Sequence, residues 1–207
     1  MGRKTQFDEE SVLAAAQDVF WRRGYQGASI SELTAETGLS RSSLYQRFGD
    51  KDGLFSEVVE RYTQVVVARM QRATGASGRE TLRALLSGFS PSRREPGRPV
   101  GCLLARSCTE MSALPEDARQ LIHAGIQAQR DVLERLIQLG ERDGSLKSQT
   151  DRLVLTWHLV GVLHAIVNLP EVGAGPEIVE KMIDIAMLAW PAIPDKKSSH
   201  ALERQIQ

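Results

Sequence analysis

Residues Ser29–Lys51, SISELTAETGLSRSSLYQRFGDK, read as two short helices joined by a tight turn. Ser29 can cap the first helix through its hydroxyl, and Glu32, three residues on, can reach back to the Ser29 amide, the reciprocal pairing of a capping box. Gly38 can adopt the left-handed backbone that closes a helix. Ser40 then caps a new one two residues later, so the turn is about as short as a helix-turn-helix allows. The second helix, Arg41 to Phe48, carries Arg41, Ser42, Ser43, Tyr45, Gln46 and Arg47. These are hydrogen-bond donors and acceptors with few apolar members, which suits a helix presented to a polar groove rather than one packed on all sides.

On the N-terminal side, Val12, Ala16, Val19 and Phe20 form the apolar stripe of an amphipathic helix, with Asp8 as its cap and Gly24 as its stop. On the other side, Leu54, Phe55, Val58, Val59, Tyr62, Val65 and Val66 run at helical spacing between Asp50 and about Ala73. This fourth helix begins in the helix-turn-helix unit and extends beyond it, a mechanical link to whatever follows. SVLAAAQDVFWRRGYQGASI followed by SELTAETGLSRSSLYQRFGDKDGLF resembles the DNA-binding domain of the tetracycline-repressor (TetR/AcrR) family of bacterial transcription regulators. The likeness covers Ser11 to Phe55. Its most specific marks are the Gly38-Leu39-Ser40 turn, the Leu44-Tyr45 pair, Phe48 and Lys51. Thr34 stands where the family usually has alanine, and Arg41-Ser42-Ser43 replaces a common Lys-Gly-Ser/Thr.

The resemblance implies binding to double-stranded DNA. The expected contacts are Ser29, Ser31, Ser40, Arg41, Ser42, Ser43, Tyr45 and Gln46, with Lys51 on a phosphate beside the fourth helix. It also implies a homodimer on a palindromic operator, with recognition helices about 34 to 36 Å apart, and a repressor released by an unknown small-molecule effector.

Further along, Thr74–Gly78 is a break and Arg79 to Phe89 a fifth helix. Ser90 to Gly101, SPSRREPGRPVG, is too rich in proline and glycine for a regular element and is expected to be an exposed loop with solvated arginines. Cys102 to Met111 reads as a sixth helix, and Pro115 to Gly140 as a seventh with Ala118, Ile122, Gly125, Val132, Leu136 and Leu139 on one face. An eighth is capped by Thr150 or Asp151, and a ninth runs from Pro176 to near Trp190. No strand pattern competes, so the expected fold is all-α with about nine helices. Residues 1–53 are expected to form the DNA-binding domain, 54–193 the effector-binding and dimerisation domain, and 194–207 a mobile tail.

Composition bounds the function. The chain has 207 residues, with 26 lysines and arginines against 26 acids. In the first 51 residues, Arg3, Lys4, Arg22, Arg23, Arg41, Arg47 and Lys51 are matched by Asp8, Glu9, Glu10, Asp18, Glu32, Glu36 and Asp50. DNA binding is therefore expected to be moderate and salt-sensitive. The N-terminus lacks an apolar signal region, and two cysteines six apart make neither a metal site nor a disulfide framework, so a reducing cytoplasm is expected. Leu153 to Pro170 contains no Asp, Glu, Lys or Arg, close to the roughly 20 apolar residues that span a bilayer. His158, His164 and Asn168 inside it favour a soluble helix buried on two sides, and no membrane partner is expected.

No glycine-rich phosphate loop, paired-carboxylate motif or metal-ligand cluster appears, so no metal, cofactor or enzymatic activity is expected. An enzyme would need a convergent pair such as Cys108 with His123 or His158, and a helical adaptor would lack specific DNA binding. Tyr62, Val66, Met111, Trp157 and His158 are the expected effector-cavity residues, with His164 as a further candidate. Trp157, Val160, Gly161 and His164 on the eighth helix and Ile178, Met182, Ile185 and Ala189 on the ninth are expected to form the dimer interface. The competing route is a thiol switch at Cys102 or Cys108, which would need an activating neighbour.

Overall fold

The computed structural model describes residues 8–93, 100–147 and 151–191. These form nine α-helices: α1 Glu9–Gly27, α2 Ile30–Thr37, α3 Arg41–Phe48, α4 Lys51–Gln71, α5 Gly78–Gly88, α6 Leu103–Cys108, α7 Glu116–Arg142, α8 Arg152–Asn168 and α9 Pro176–Leu188. Single 3-10 turns occur at Pro91–Arg93, Met111–Ala113 and Leu169–Val172. No strand occurs among the described residues, and the fold is all-α as expected.

In the N-terminal unit the turn chemistry acts as its residue types dictate. Ser29 Oγ accepts from the Glu32 amide at 3.1 Å, and Ser40 Oγ accepts from the Ser43 amide at 3.0 Å. Gly38 takes φ of 70°, the left-handed value that ends α2. Two local expectations change. Glu32 does not return to the Ser29 amide but accepts from Arg23 Nε at 2.9 Å, because the charged partner on α1 is the stronger donor. Asp8 does not cap the α1 backbone; its carboxylate accepts from Ser11 Oγ. Under this shell, Val19, Phe20, Leu33, Leu44, Leu54 and Phe55 are buried, with the Phe20 and Phe55 rings edge-to-face at 4.9 Å.

α4 runs without a break from the α3 turn into the larger unit, where it packs on α7. α7 is the spine, touching α4, α5, α6 and α8. Its buried stripe is Ala118, Ile122, Gly125, Gln129, Val132, Leu133 and Ile137. Leu136 is only half-buried and Leu139 is exposed, a correction to the expected face, since 3.6 residues per turn carries the stripe round to Leu133 and Ile137. The segment after α5 is no simple exposed loop either: Ser90 is buried, and the chain returns at Val100 to accept a 3.0 Å hydrogen bond from Trp21 Nε1. Arg93 is exposed; Arg94 and Arg98 lie outside the described residues, as do the N-terminal arm with Arg3 and Lys4, Thr150 and the tail 194–207. Asp151 caps α8 through its carboxylate on the Val154 amide. The segment Arg152–Val172 is long and apolar enough by composition to cross a bilayer, but here Leu155, Leu159, Leu163 and Ile166 are buried and α8 packs on α7 and α9.

Candidate functional site

The helix-turn-helix presents one polar face. Leu44 and Phe48 turn α3 inward, which leaves Arg41, Ser42, Tyr45 and Gln46 exposed on its outer side and Ser43 half-buried. Tyr45 is 43% exposed, unusual for a tyrosine with no internal partner. Ser29, Ser31 and Ser40 are exposed beside this face. The Ser40 hydroxyl is shared with Ser42 and Ser43 at 2.9 and 2.8 Å, so the start of α3 is a hydroxyl cluster. Arg47 is withdrawn from it: the guanidinium binds Glu57 at 2.9 Å and also Glu9, and the two carboxylates raise its already high pKa. Arg41 has no such partner.

Lys51 sits elsewhere than expected. Its Nζ donates to the carbonyls of Tyr25 (3.0 Å) and Ala28 (3.3 Å) and lies 4.3 Å from the centre of the Tyr25 ring. It closes the C-terminal end of α1, where bare carbonyls attract a cation. The phosphate contact assigned to it from sequence competes with that role. Tyr25 is fixed in turn by donating its hydroxyl to Asp52, and burial, then this hydrogen bond, pushes the phenol's pKa up.

Behind this unit lies a cavity of about 580 Å³. α1 lines it with Glu10, Ala14, Gln17, Asp18 and Trp21; α4 adds Arg61, Tyr62, Val65, Val66 and Arg69; and Gln129 of α7 and Leu163, His164 and Val167 of α8 form further walls. Trp21 and Tyr62 meet edge-to-face at 5.1 Å, joining the two units at the cavity wall. Tyr62 and Val66 therefore line it as expected, but Met111, Trp157 and His158 do not. The α8 turn explains two of these: with Leu155, Leu159 and Leu163 inward, Trp157 and His158 point out, and Trp157 is 49% exposed with the Arg130 guanidinium 4.3 Å over its ring. Met111, in the 3-10 turn after α6, packs on the core instead. His164 lies inside, its Nε2 3.0 Å from Gln129 Oε1, and burial lowers its pKa. Gln129 is the residue that sequence reading missed. Its spacing from Ile122, Gly125 and Val132 placed it on the apolar face, and a polar residue there is the available signal.

A second exposed face runs along α8 and α9. Leu153, Val154, Trp157 and Gly161 lie beside Ile178, Ile185, Leu188 and Ala189, with Met182 half-buried between them. Ile185 is 67% and Leu188 77% exposed. Val160 departs from the expected interface, being buried in its own chain's core, and so does His164. Of the thiols, Cys102 is buried against Tyr62 at the cavity and Cys108 is exposed. Although the residue reaches the surface, partial desolvation of its sulfur, then Cys102 nearby, pushes the Cys108 thiol up, away from the thiolate that reactivity needs.

A helix-turn-helix with a polar recognition helix, continued by a shared α4 into a helical unit that holds a cavity, defines a DNA-binding transcriptional regulator with an appended helical domain. Family models agree: one for bacterial regulatory proteins of the tetR family matches residues 12–58, and one for the tetracyclin repressor-like C-terminal domain matches residues 78–185. The chain belongs to the TetR family of bacterial regulatory proteins. Its relatives include the HTH-type transcriptional repressor ComR of Escherichia coli (strain K12), 25% identical over 199 residues and 93% of each chain, and the uncharacterized HTH-type transcriptional regulator YezE of Bacillus subtilis (strain 168), 26% identical over 190 residues, 90% of this chain and 98% of YezE. A solved cysteine mutant of the TetR family transcriptional regulator CifR, complexed with 26-bp operator DNA, superimposes with a TM-score of 0.79 at 28% identity, over 92% of this chain and all of that one.

Proposed function

We propose that the protein is a cytoplasmic homodimeric repressor that holds a palindromic operator through α3 and releases it when a small, largely apolar molecule enters the cavity between α1, α4, α7 and α8. The observation that carries this is the composition of the cavity wall. Five of its residues belong to α1, inside the DNA-binding unit, and five to α4, which spans both units. A ligand that spreads these walls must tilt the helix-turn-helix. The division of labour follows, with residues 1–53 for DNA and 54–193 for ligand and dimerisation, the boundary lying inside α4, and a tail from 194 onward. Ser29, Ser31, Ser40, Arg41, Ser42, Ser43, Tyr45 and Gln46 form the DNA face. CifR's capture on operator DNA supports that use of the same fold.

The thiol route is tested beside it. A gel-shift titration with duplex from the gene's own upstream region, using the wild type and the Cys102→Ser/Cys108→Ser variant, separates the two. Retention of the inducing response by the double variant supports the cavity; loss of response with operator binding intact makes thiol chemistry the switch. Absence of specific binding to that duplex and to any selected duplex removes the repressor reading itself.

A further inference from the structure

Most polar groups in and behind the cavity wall are paired. Behind the wall, Asn168 Oδ1 accepts from the Cys102 amide at 3.1 Å and its Nδ2 donates to the His164 carbonyl at 2.7 Å. Trp21 Nε1 is satisfied by Val100, and the Tyr62 hydroxyl lies against the Cys102 thiol. Gln129 differs. It is 1% exposed and lines the cavity; its Oε1 lies 3.0 Å from His164 Nε2, and among the described residues its Nε2 meets no hydrogen-bond acceptor. Interiors rarely leave a buried amide donor unpaired, and a donor in a ligand-sized space is a ready anchor for an oxygen.

Charge narrows the class. Glu10 and Asp18 stand at the α1 wall, and Arg61 is held by Glu10 at 3.0 Å and Gln17 at 3.2 Å. Arg69 gives Nη2 to the Gly88 carbonyl and lies 4.5 Å from the centre of the Phe89 ring. The α8 part of the lining is Leu163, Ile166 and Val167 with the imidazole of His164, which burial keeps neutral. With both arginines of the wall already engaged, an ionised ligand group is desolvated without a fresh counter-charge among the described residues, which is costly.

Resting on the effector-cavity reading above, we infer that the ligand is uncharged, with an apolar body and one carbonyl-type oxygen that accepts a hydrogen bond from Gln129 Nε2. The hydrogen bond orients the molecule, and the walls of α1, α4 and α8 hold its body. Carboxylates meet Glu10 and Asp18 at the α1 wall and arginines that are already engaged, Arg61 by Glu10 and Gln17 and Arg69 by the Gly88 carbonyl. Amines find the two acids only near the α1 wall, away from the buried donor.

The test uses the full chain and five probes on one skeleton: benzylacetone, its secondary alcohol, butylbenzene, hydrocinnamate and phenylpropylamine. Titration calorimetry is expected to rank the ketone tightest, with Gln129→Leu lowering ketone affinity about tenfold and leaving butylbenzene unchanged. In the wild type, isotope-labelled glutamine gives a second readout that does not depend on the variant folding: the ketone shifts the Gln129 side-chain amide resonance and butylbenzene does not. Tighter binding of the carboxylate, amine or alcohol than of the ketone overturns the assignment while leaving the cavity reading in place. So does a ketone-to-hydrocarbon affinity ratio that Gln129→Leu does not change. Failure of all five probes to bind overturns the ligand class, and the effector-cavity reading then stands or falls with the gel-shift titration of the Cys102→Ser/Cys108→Ser variant.

Discussion

Two arginines on the recognition helix illustrate how environment divides identical side chains. Arg41 is exposed and has no ion-pair partner among the described residues, whereas Arg47 is clamped by Glu9 and Glu57. Arg41→Ala is expected to cost about 1 to 3 kcal/mol of specific operator binding, read as a loss of base discrimination in fluorescence anisotropy. Arg47→Ala is expected to change base preference little and to loosen the α1–α3–α4 corner, read as a lower melting temperature. Equal loss of discrimination in both variants would sink this division. Lys51→Ala is expected to destabilise the fold by roughly 1 to 3 kcal/mol, since it strips a charged donor from two carbonyls at the end of α1. A change in the salt slope of DNA binding without any change in stability would return Lys51 to a phosphate role. His164 adds a pH dependence. Its folded pKa lies below 6.5, so as pH falls through about 6.5 the unfolded chain takes up a proton that the folded chain refuses. Stability from this group is thus complete above that value and lost below it, and His164→Gln should flatten the decline in urea midpoint between about pH 7 and 5.

At the scale of elements, α1 and α6 are joined by a latch. Gly24 breaks α1 with φ of 74° and ψ of 176°, and the broken turn exposes amides that Glu110, just past α6, takes up: Tyr25 N at 2.8 Å and Gln26 N at 3.3 Å. Arg106 of α6 adds a 3.1 Å hydrogen bond to the Arg22 carbonyl. A Cβ on Gly24 would stand 2.5 Å from Glu110 Oε2, so only glycine allows both the backbone angle and the carboxylate's approach. Because α6 follows the cavity wall at Cys102, the latch would give a bound ligand a further path to the DNA-binding unit, beside α4. Glu110→Ala is expected to lower the melting temperature and to weaken ligand-induced release several-fold while operator affinity without ligand changes little. An unaltered response to ligand would leave the α1 wall and α4 as the connections.

For the whole molecule, the α8–α9 face is the proposed assembly surface. Leu153, Val154, Trp157, Ile178, Ile185 and Leu188 are large apolar side chains left exposed on these two packed helices, the kind of surface that marks an interface. Gly161 among them has nothing within 4 Å of its Cβ position, which leaves room for a helix from a second copy. Two such hairpins would form a four-helix bundle across a two-fold axis. Trp157→Asp and Ile185→Asp are each expected to yield monomers in sedimentation at micromolar concentration and to abolish tight operator binding. A dimer that survives both changes would place the interface elsewhere. Linkage then constrains regulation: a ligand that weakens DNA binding tenfold or a hundredfold must bind the DNA complex less well by the same factor, about 1.4 to 2.7 kcal/mol.

Local chemistry was legible from the sequence because it depends on neighbours in the chain. Ser29, Gly38 and Ser40 set the helix ends through bonds reaching no more than three residues, and the alternation of Leu44 and Phe48 with Arg41, Tyr45 and Gln46 set the outer face of α3 from helical period alone. The fold class and the exposed polar face of α3 follow from those short-range rules. What the sequence could not show is which partner wins when several lie within reach only after folding. Glu32 turns to Arg23, Lys51 to the carbonyls of Tyr25 and Ala28, and Glu110 to amides 84 and 85 residues away. The uncharged α8 likewise offered no polar side from which to read its orientation. Packing against α7 and α9 decided that Val160 and His164 turn inward while Trp157 and His158 turn out. That choice, made by tertiary contacts rather than by periodicity, put Gln129 and His164 together in the cavity and left the apolar stripe outside.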